Sequence, residues 1–105
     1  MPDTIEVSPK AANDALQAGG AVLVDVREQS EYDQVHIPGS ILIPLAELPS
    51  RMSEIPADQD VYVHCRMGGR SARAVEMLRA FGRSNSYNVS GGIEAWEDEG
   101  LPVAH

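Results

Sequence analysis

The chain has 105 residues, enough for one domain, and a chain this short buries roughly 60 to 70% of the surface its unfolded form exposes, so a second core is excluded. With 43% hydrophobic and 23% charged residues, its composition is that of a globular protein and excludes disordered, collagen-like and coiled-coil architectures. Eight basic against sixteen acidic residues give a net charge of -8, which argues against a protein that sits on a nucleic-acid backbone or an anionic membrane.

Ser8-Pro9 reads as a helix start, a capping hydroxyl followed by proline at the first helical position. Ala11, Ala12, Ala15 and Leu16 form one face of that helix before Gly19-Gly20 stops it. Ala21-Val22-Leu23-Val24 is an apolar run ending in Asp25, the pattern of a strand covered on both faces, and Val61-Tyr62-Val63-His64-Cys65 is a second. Between them the pattern predicts a polar helical piece around 28–34, a short apolar run at Ile41-Leu42-Ile43 and a second helical piece around 46–52. Ala74, Val75, Leu78 and Phe81 recur at helical spacing over 71–81, and Gly82 follows as a stop. A last short strand near 87–89 precedes Gly91-Gly92 and a helix through Trp96. Strands alternating with helices predict an α/β fold, a single domain over 1–105 with a mostly parallel central sheet and helices on both faces. Such sheets place their sites at the carboxyl ends of strands, where Cys65 falls.

The longest apolar stretch, 37–46, is broken by Pro38 and Pro44 and is far shorter than the roughly 20 residues of a membrane-spanning helix. The amino end lacks a basic segment followed by an apolar one, so no secretory signal is expected and the cytoplasm is the expected location. One cysteine removes internal disulfides, two-cysteine redox motifs and cysteine-rich zinc sites. His36, His64 and His105 are too scattered to suggest a metal cluster, and neither metal nor cofactor is expected.

The informative segment is Cys65-Arg66-Met67-Gly68-Gly69-Arg70-Ser71, between the end of a buried strand and the start of an amphipathic helix. Two successive glycines, both expected at positive φ, allow several N–H groups to converge on one point. The helix that follows adds its positive end, and helix N-termini hold anions and acidify thiols. Charge agrees: residues 64–83 carry five arginines and one glutamate, a local +4 in a chain that is otherwise strongly acidic. A lone cysteine is often just a small buried hydrophobe. Here the double glycine, the flanking arginines and the strand-to-helix context favour a reactive thiolate.

With that loop the sequence resembles the rhodanese-like sulfurtransferases, over nearly the whole chain. Asp25-Val26-Arg27 is similar to the family's motif after its early strand, and His36-Ile37-Pro38-Gly39-Ser40 to its His-Ile-Pro-Gly-Ala segment. Cys65 to Ser71 resembles the active-site loop of single-domain members, and Gly91-Gly92-Ile93, Trp96 and Gly100-Leu101-Pro102 resemble the C-terminal signature. The resemblance implies a thiosulfate sulfurtransferase mechanism. The thiolate takes the outer sulfur of a donor such as thiosulfate as a persulfide and passes it to cyanide, a thiol or another thiophilic acceptor. It implies Cys65 as nucleophile and Arg70 as binder of the anionic donor. The N–H groups of Arg66, Met67, Gly68, Gly69, Arg70 and Ser71 would cradle the persulfide. Val35 stands where the family often has Gly before the His, and Arg83 and Ser86 where apolar residues are usual; these departures concern packing rather than the site.

Other residues take plainer roles. Asp25 and Arg27 are expected to brace the loops around the site, and His36 to be a hydrogen-bonded turn residue. His64, by strand alternation, is expected to point to the face opposite Cys65. Arg66 and Arg73 either bind donor or raise the local potential. Glu97-Asp98-Glu99 reads as a solvated helix end or a docking surface for a basic partner. One alternative is a phosphatase or arsenate reductase of related fold, whose loop resembles cysteine, five residues, then arginine. Here only four residues, Arg66 to Gly69, intervene before Arg70, a smaller cradle better suited to a sulfur atom than to a tetrahedral phosphate. A second alternative is a non-catalytic rhodanese-like module that binds partners or regulates, although such modules often lack the cysteine. In a third, a sulfur-relay protein supplies or receives the sulfur; the sequence leaves that open.

Overall fold

The computed structural model describes residues 5–105. Ser8 opens helix α1 (Pro9–Ala18): its hydroxyl accepts a hydrogen bond from the Ala11 N–H at 3.1 Å, and Pro9 stands where no N–H is needed. Strand β2 (Ala21–Asp25) follows, then α2 (Gln29–Gln34) and the two-residue β3 (Ile41–Leu42). Strand β4 (Asp60–His64) leads into α4 (Gly69–Ala80), and β5 (Ser86–Val89) into α5 (Gly92–Asp98). Together with β1 (Glu6–Val7) the strands form one five-stranded sheet in the order β1-β5-β4-β2-β3, and every neighbouring pair is parallel. β1 exists only through its partner, with Glu6 opposite Asn88 and Val7 opposite Val89. Two residues carry no readable period, so the sequence does not announce it.

Alternation along β4 sorts its side chains onto two cores. Val61, Val63 and Cys65 join Val24, Ile43, Leu48, Val75 and Leu78 beneath α4. Tyr62 joins Ala12, Leu23, Val89, Ile93 and Trp96 beneath α1 and α5. Helices therefore cover both faces, and each fully buried valine or leucine adds about 1.5 to 3 kcal/mol of burial. No helix among the described residues is long and apolar enough to cross a membrane.

The piece expected to be helical around 46–52 is broken up. It runs as a 3-10 turn at Leu45–Glu47, a single α-turn α3 (Leu48–Arg51) and a second 3-10 turn at Met52–Glu54. Pro49 has no N–H to return to Leu45 O, which prevents a continuous α-helix. The unusual polar residues are accommodated by hydrogen bonds. The Arg83 guanidinium donates to the carbonyls of Ile55 at 2.8 Å, Met52 at 3.3 Å and Pro56 at 3.4 Å. The buried Ser86 hydroxyl donates to Arg83 O at 2.9 Å. Val35 is extended at φ -158, so no glycine is required, and its carbonyl accepts from Arg27 Nη2 at 2.7 Å. His36 stacks on Tyr32 with ring centroids 4.1 Å apart and pairs through its backbone with Ala104.

Candidate active site

Cys65 is the first residue beyond β4, and the loop it opens ends where Gly68 caps α4. Gly68 adopts φ 114, the left-handed region closed to most side chains, and its N–H, on the peptide that follows Met67, donates to Cys65 Sγ at 3.1 Å. Gly69 does not share that need. It begins the helix without a positive φ, and a Cβ built on it meets nothing within 4 Å, so of the two glycines expected at positive φ only Gly68 is there.

The opposite side of the loop is held by α5. The N–H groups of Ile93 and Glu94 donate to the carbonyls of Cys65 and Arg66 at 2.9 and 3.2 Å. Because a trans peptide points its C=O and N–H in opposite directions, fixing these carbonyls toward α5 turns the N–H groups of Arg66 and Met67 away from it. Gly92 makes the approach possible: a Cβ there would lie 2.5 Å from both carbonyl oxygens.

Cys65 is 2% exposed and forms the floor of the cradle. Burial pushes its thiol up. The Ser71 hydroxyl, 3.3 Å from Sγ, and the N–H groups of Ser71, Gly68 and Met67 can all donate to the ionised sulfur and more than offset it, so the net direction is below the ordinary cysteine value. Ser71 Oγ lies 2.5 Å from Asn88 Oδ1, and Asn88 Nδ2 donates to Glu6 Oε2 at 2.8 Å and to Gly68 O at 3.3 Å.

Two arginines of the positive segment meet carboxylates in space and two more are tied to backbone carbonyls. Arg70 makes a two-pronged pair with Glu31, Nη1 to Oε1 at 2.7 Å and Nη2 to Oε2 at 2.9 Å, and Arg66 Nε donates to Glu94 Oε2 at 2.7 Å. The Arg70 guanidinium holds the Glu31 carboxyl at about 2, against the smaller upward push of burial. Arg79 spends its guanidinium on Ser86 O, and Arg83 on the carbonyls named above. Arg73 is exposed and lines a separate hollow with Leu45, Pro49 and Met77. The acidity of Cys65 therefore comes chiefly from local hydrogen bonds rather than from a field of free arginines. Beside the loop, a cleft of about 330 Å³ between α2 and α5 is lined by Arg27, Glu31, Arg66, Glu94 and Glu97. Met67 stands at the rim, 67% exposed.

Behind the loop, Asp25 and Arg27 form a buried pair. The carboxylate accepts from Arg27 N at 2.9 Å, from Nε at 3.0 and 3.1 Å, and from Nη2 at 2.8 Å. His64 Nε2 lies 3.6 Å from Asp25 Oδ2 and has no hydrogen-bond partner among the described residues. Burial lowers the His64 pKa more than the Asp25 carboxylate raises it, which favours the neutral ring.

The structure thus brings Cys65, Gly68 and Ser71 together on the floor and places Arg66, Met67 and Arg70 around the rim. Three neighbours of the site, Glu31, Asn88 and Glu94, are not marked out by sequence reasoning. Only Asn88 left a trace, as a polar residue inside the short apolar strand Tyr87-Asn88-Val89.

A parallel α/β sheet with a cysteine at the carboxyl end of its central strand, held in a loop that ends at a helix N-terminus, defines a domain built around one thiol. The chain belongs to the rhodanese-like family: the family model, Rhodanese-like domain, matches residues 8–99. It is 44% identical over 82 residues to a protein of Allochromatium vinosum named Sulfurtransferase, covering 78% of this chain and 77% of that one. It is 35% identical to the adenylyltransferase and sulfurtransferase uba4 of Ogataea parapolymorpha, covering 96% of this chain but 27% of that much longer protein. Among solved structures, a rhodanese-related protein from Thermoplasma volcanium superposes with a TM-score of 0.86 at 34% identity, covering 94% of this chain and 96% of that one.

Proposed function

We propose that the protein is a sulfurtransferase of the thiosulfate sulfurtransferase type, carrying sulfane sulfur as a persulfide on Cys65. The observation that carries this reading is the floor of the loop: Sγ receives the Gly68 N–H at 3.1 Å beside the Ser71 hydroxyl at 3.3 Å, and the thiol is shifted toward its anion. In the first step the thiolate attacks the outer sulfur of the donor. An S–S bond forms to Cys65, the donor's own S–S bond breaks, and its electron pair leaves with sulfite when the donor is thiosulfate. In the second step cyanide or a thiolate attacks the outer sulfur, forming thiocyanate or a new persulfide and returning the electron pair to Cys65.

The cradle supplies what this chemistry needs. The N–H groups from Arg66 to Ser71 provide donors for a terminal sulfur that bears the persulfide's negative charge. Arg70 is the proposed binder of an anionic donor, since its planar fork already grips the Glu31 carboxylate in the way it would grip a sulfonate. The relatives named sulfurtransferase support the activity, and a Bacillus subtilis relative named a putative sulfur carrier protein favours a protein as one of the sulfur partners. Intact mass after incubation with thiosulfate tests the proposal. The wild-type chain is expected to gain one sulfur and Cys65→Ser none; a wild-type chain that takes up no sulfur from thiosulfate or from a low-molecular-weight persulfide overturns it.

A further inference from the structure

Asn88 sits on β5, opposite Val63 of β4 and Glu6 of β1, and is 2% exposed. Its amide nitrogen faces Glu6 Oε2 at 2.8 Å and Gly68 O at 3.3 Å. A carboxylate and a carbonyl only accept hydrogen bonds, so the NH₂ end must point at them and the oxygen end at Ser71. Oδ1 carries no proton. At 2.5 Å, the Ser71 hydroxyl must therefore be the donor.

A serine hydroxyl has one proton. While it goes to Asn88, Ser71 offers only lone pairs to Cys65 Sγ at 3.3 Å. That arrangement suits a neutral thiol, whose S–H donates to Ser71 Oγ. A thiolate needs the reverse, with the Ser71 O–H turned toward sulfur. The backbone N–H groups serve the thiolate in either case, but for the hydroxyl to join them Ser71 must withdraw its proton from Asn88.

We propose that Asn88 is a positioning residue that sets the thiolate fraction of Cys65 by competing for the Ser71 hydroxyl proton. The inference rests on the reading of Cys65 as a nucleophile but not on the identity of the sulfur donor. It also gives the proton a place during turnover. When Sγ becomes the inner, uncharged sulfur of a persulfide, the Ser71 proton returns to Asn88, and it swings back when the thiolate is regenerated. The hydroxyl rotates and no proton is lost.

Other charged and titratable groups surround the thiol. Arg70 stands on α4 and feels the Cys65 charge, Arg66 follows in the loop, and Glu94 on α5 pairs with Arg66. His64 precedes it on β4 with Nδ1 3.2 Å from Cys65 O, Asp25 ends β2, and Glu6 on β1 reaches it only through Asn88. Of these, only Glu6 touches Asn88, and it does so on the amide's far end.

Alkylation of Cys65, the one thiol, by iodoacetamide across pH reads the thiolate fraction directly. Removing the acceptor in Asn88→Ala frees the Ser71 proton for sulfur. The alkylation midpoint is expected to fall, with the rate below the midpoint rising on the order of three- to tenfold, as one hydrogen bond to an anion would give. Asn88→Leu, close to Asn in size and without an acceptor, is expected to shift it the same way and reports if the smaller variant does not fold. Ser71→Ala is expected to raise the midpoint, and in that background Asn88→Ala is expected to add nothing. A midpoint that stays or rises in the folded Asn88 variants overturns the proposal, and so does an equal shift with and without Ser71. Sulfur uptake measured by mass on the same samples tests the sulfurtransferase reading separately. Loss of uptake with the expected alkylation shifts would sink that reading alone, and intact uptake with unshifted midpoints would sink this one alone.

Discussion

Two arginine–carboxylate pairs bracket the Cys65 loop, one behind and one in front, and they are built differently. Asp25–Arg27 lies behind, with side chains 0% and 3% exposed, both carboxylate oxygens held by Arg27 and its Nη2 shared with Val35 O. Glu31–Arg70 lies in front, 30% and 36% exposed, joining α2 to the first turn of α4. Burial makes the first pair hard to break, because a lone charge left in the interior is expensive, whereas solvent can replace either member of the second. The back of the loop is thus architecture, and the front is exchangeable.

The largest effect is expected at the back. Asp25→Ala strands the Arg27 guanidinium in the interior and is expected to cost about 3 to 5 kcal/mol of stability, read by chemical denaturation. A loss no larger than that of a surface pair would erase the distinction. At the front, Arg70→Ala is expected to leave stability within about 1 kcal/mol of the parent. It is expected to slow persulfide formation from thiosulfate on the order of ten- to a hundredfold, about 1.4 to 2.8 kcal/mol in transition-state binding. Single-turnover measurements should find discharge of a preformed persulfide to cyanide less affected; equal losses in both halves would move Arg70 into the architecture.

The adjacent glycines divide in the same way. Gly68→Ala forces a side chain into the left-handed region beside Gly91 N and Asn88 Nδ2, and is expected to cost roughly 1 to 2 kcal/mol and to impair alkylation and turnover together. Gly69→Ala places a methyl in open space at the first helical position and is expected to behave as the parent does in both assays. Matching behaviour of the two variants would show that the glycines act as one unit.

The smallest effect is expected for Glu31→Gln, which can keep the α2 capping box but releases Arg70. Stability should change by less than about 1 kcal/mol, and the KM for thiosulfate should fall because no internal carboxylate competes for the guanidinium. A higher KM would mean that Glu31 aims Arg70 instead. The pair also has a pH signature. Its carboxyl is held at about 2 in the folded chain against an ordinary 4.5, so its stabilisation is complete above pH 4.5 and disappears as pH falls toward 2. Denaturation of the wild type and Glu31→Gln should therefore converge in acid, and a constant difference down to that range would contradict the pairing.

Much of the site could be read without coordinates because its signals are local. Ser8-Pro9 starts α1, the apolar runs mark β2 and β4, the period of Ala74, Val75 and Leu78 marks α4, and Cys65 falls where strand meets helix. Capping, alternation and helical spacing each act within a few residues, and the chain carries them wherever it folds. Which of two neighbouring glycines takes the left-handed turn was not written there, since it depends on where the helix begins relative to the loop.

The polar partners were decided by the tertiary structure alone. Glu31 meets Arg70 across 39 residues, Glu94 meets Arg66 across 28, and Asn88 meets Ser71 across 17. β1 is a strand because β5 offers it an edge. Contacts of this kind have no period and no neighbouring residue to mark them. They exist only once the parallel sheet has stacked α2, α4 and α5 around the carboxyl end of β4, so the sequence by itself determined where the thiol stands, and packing determined which groups share its proton and its charge.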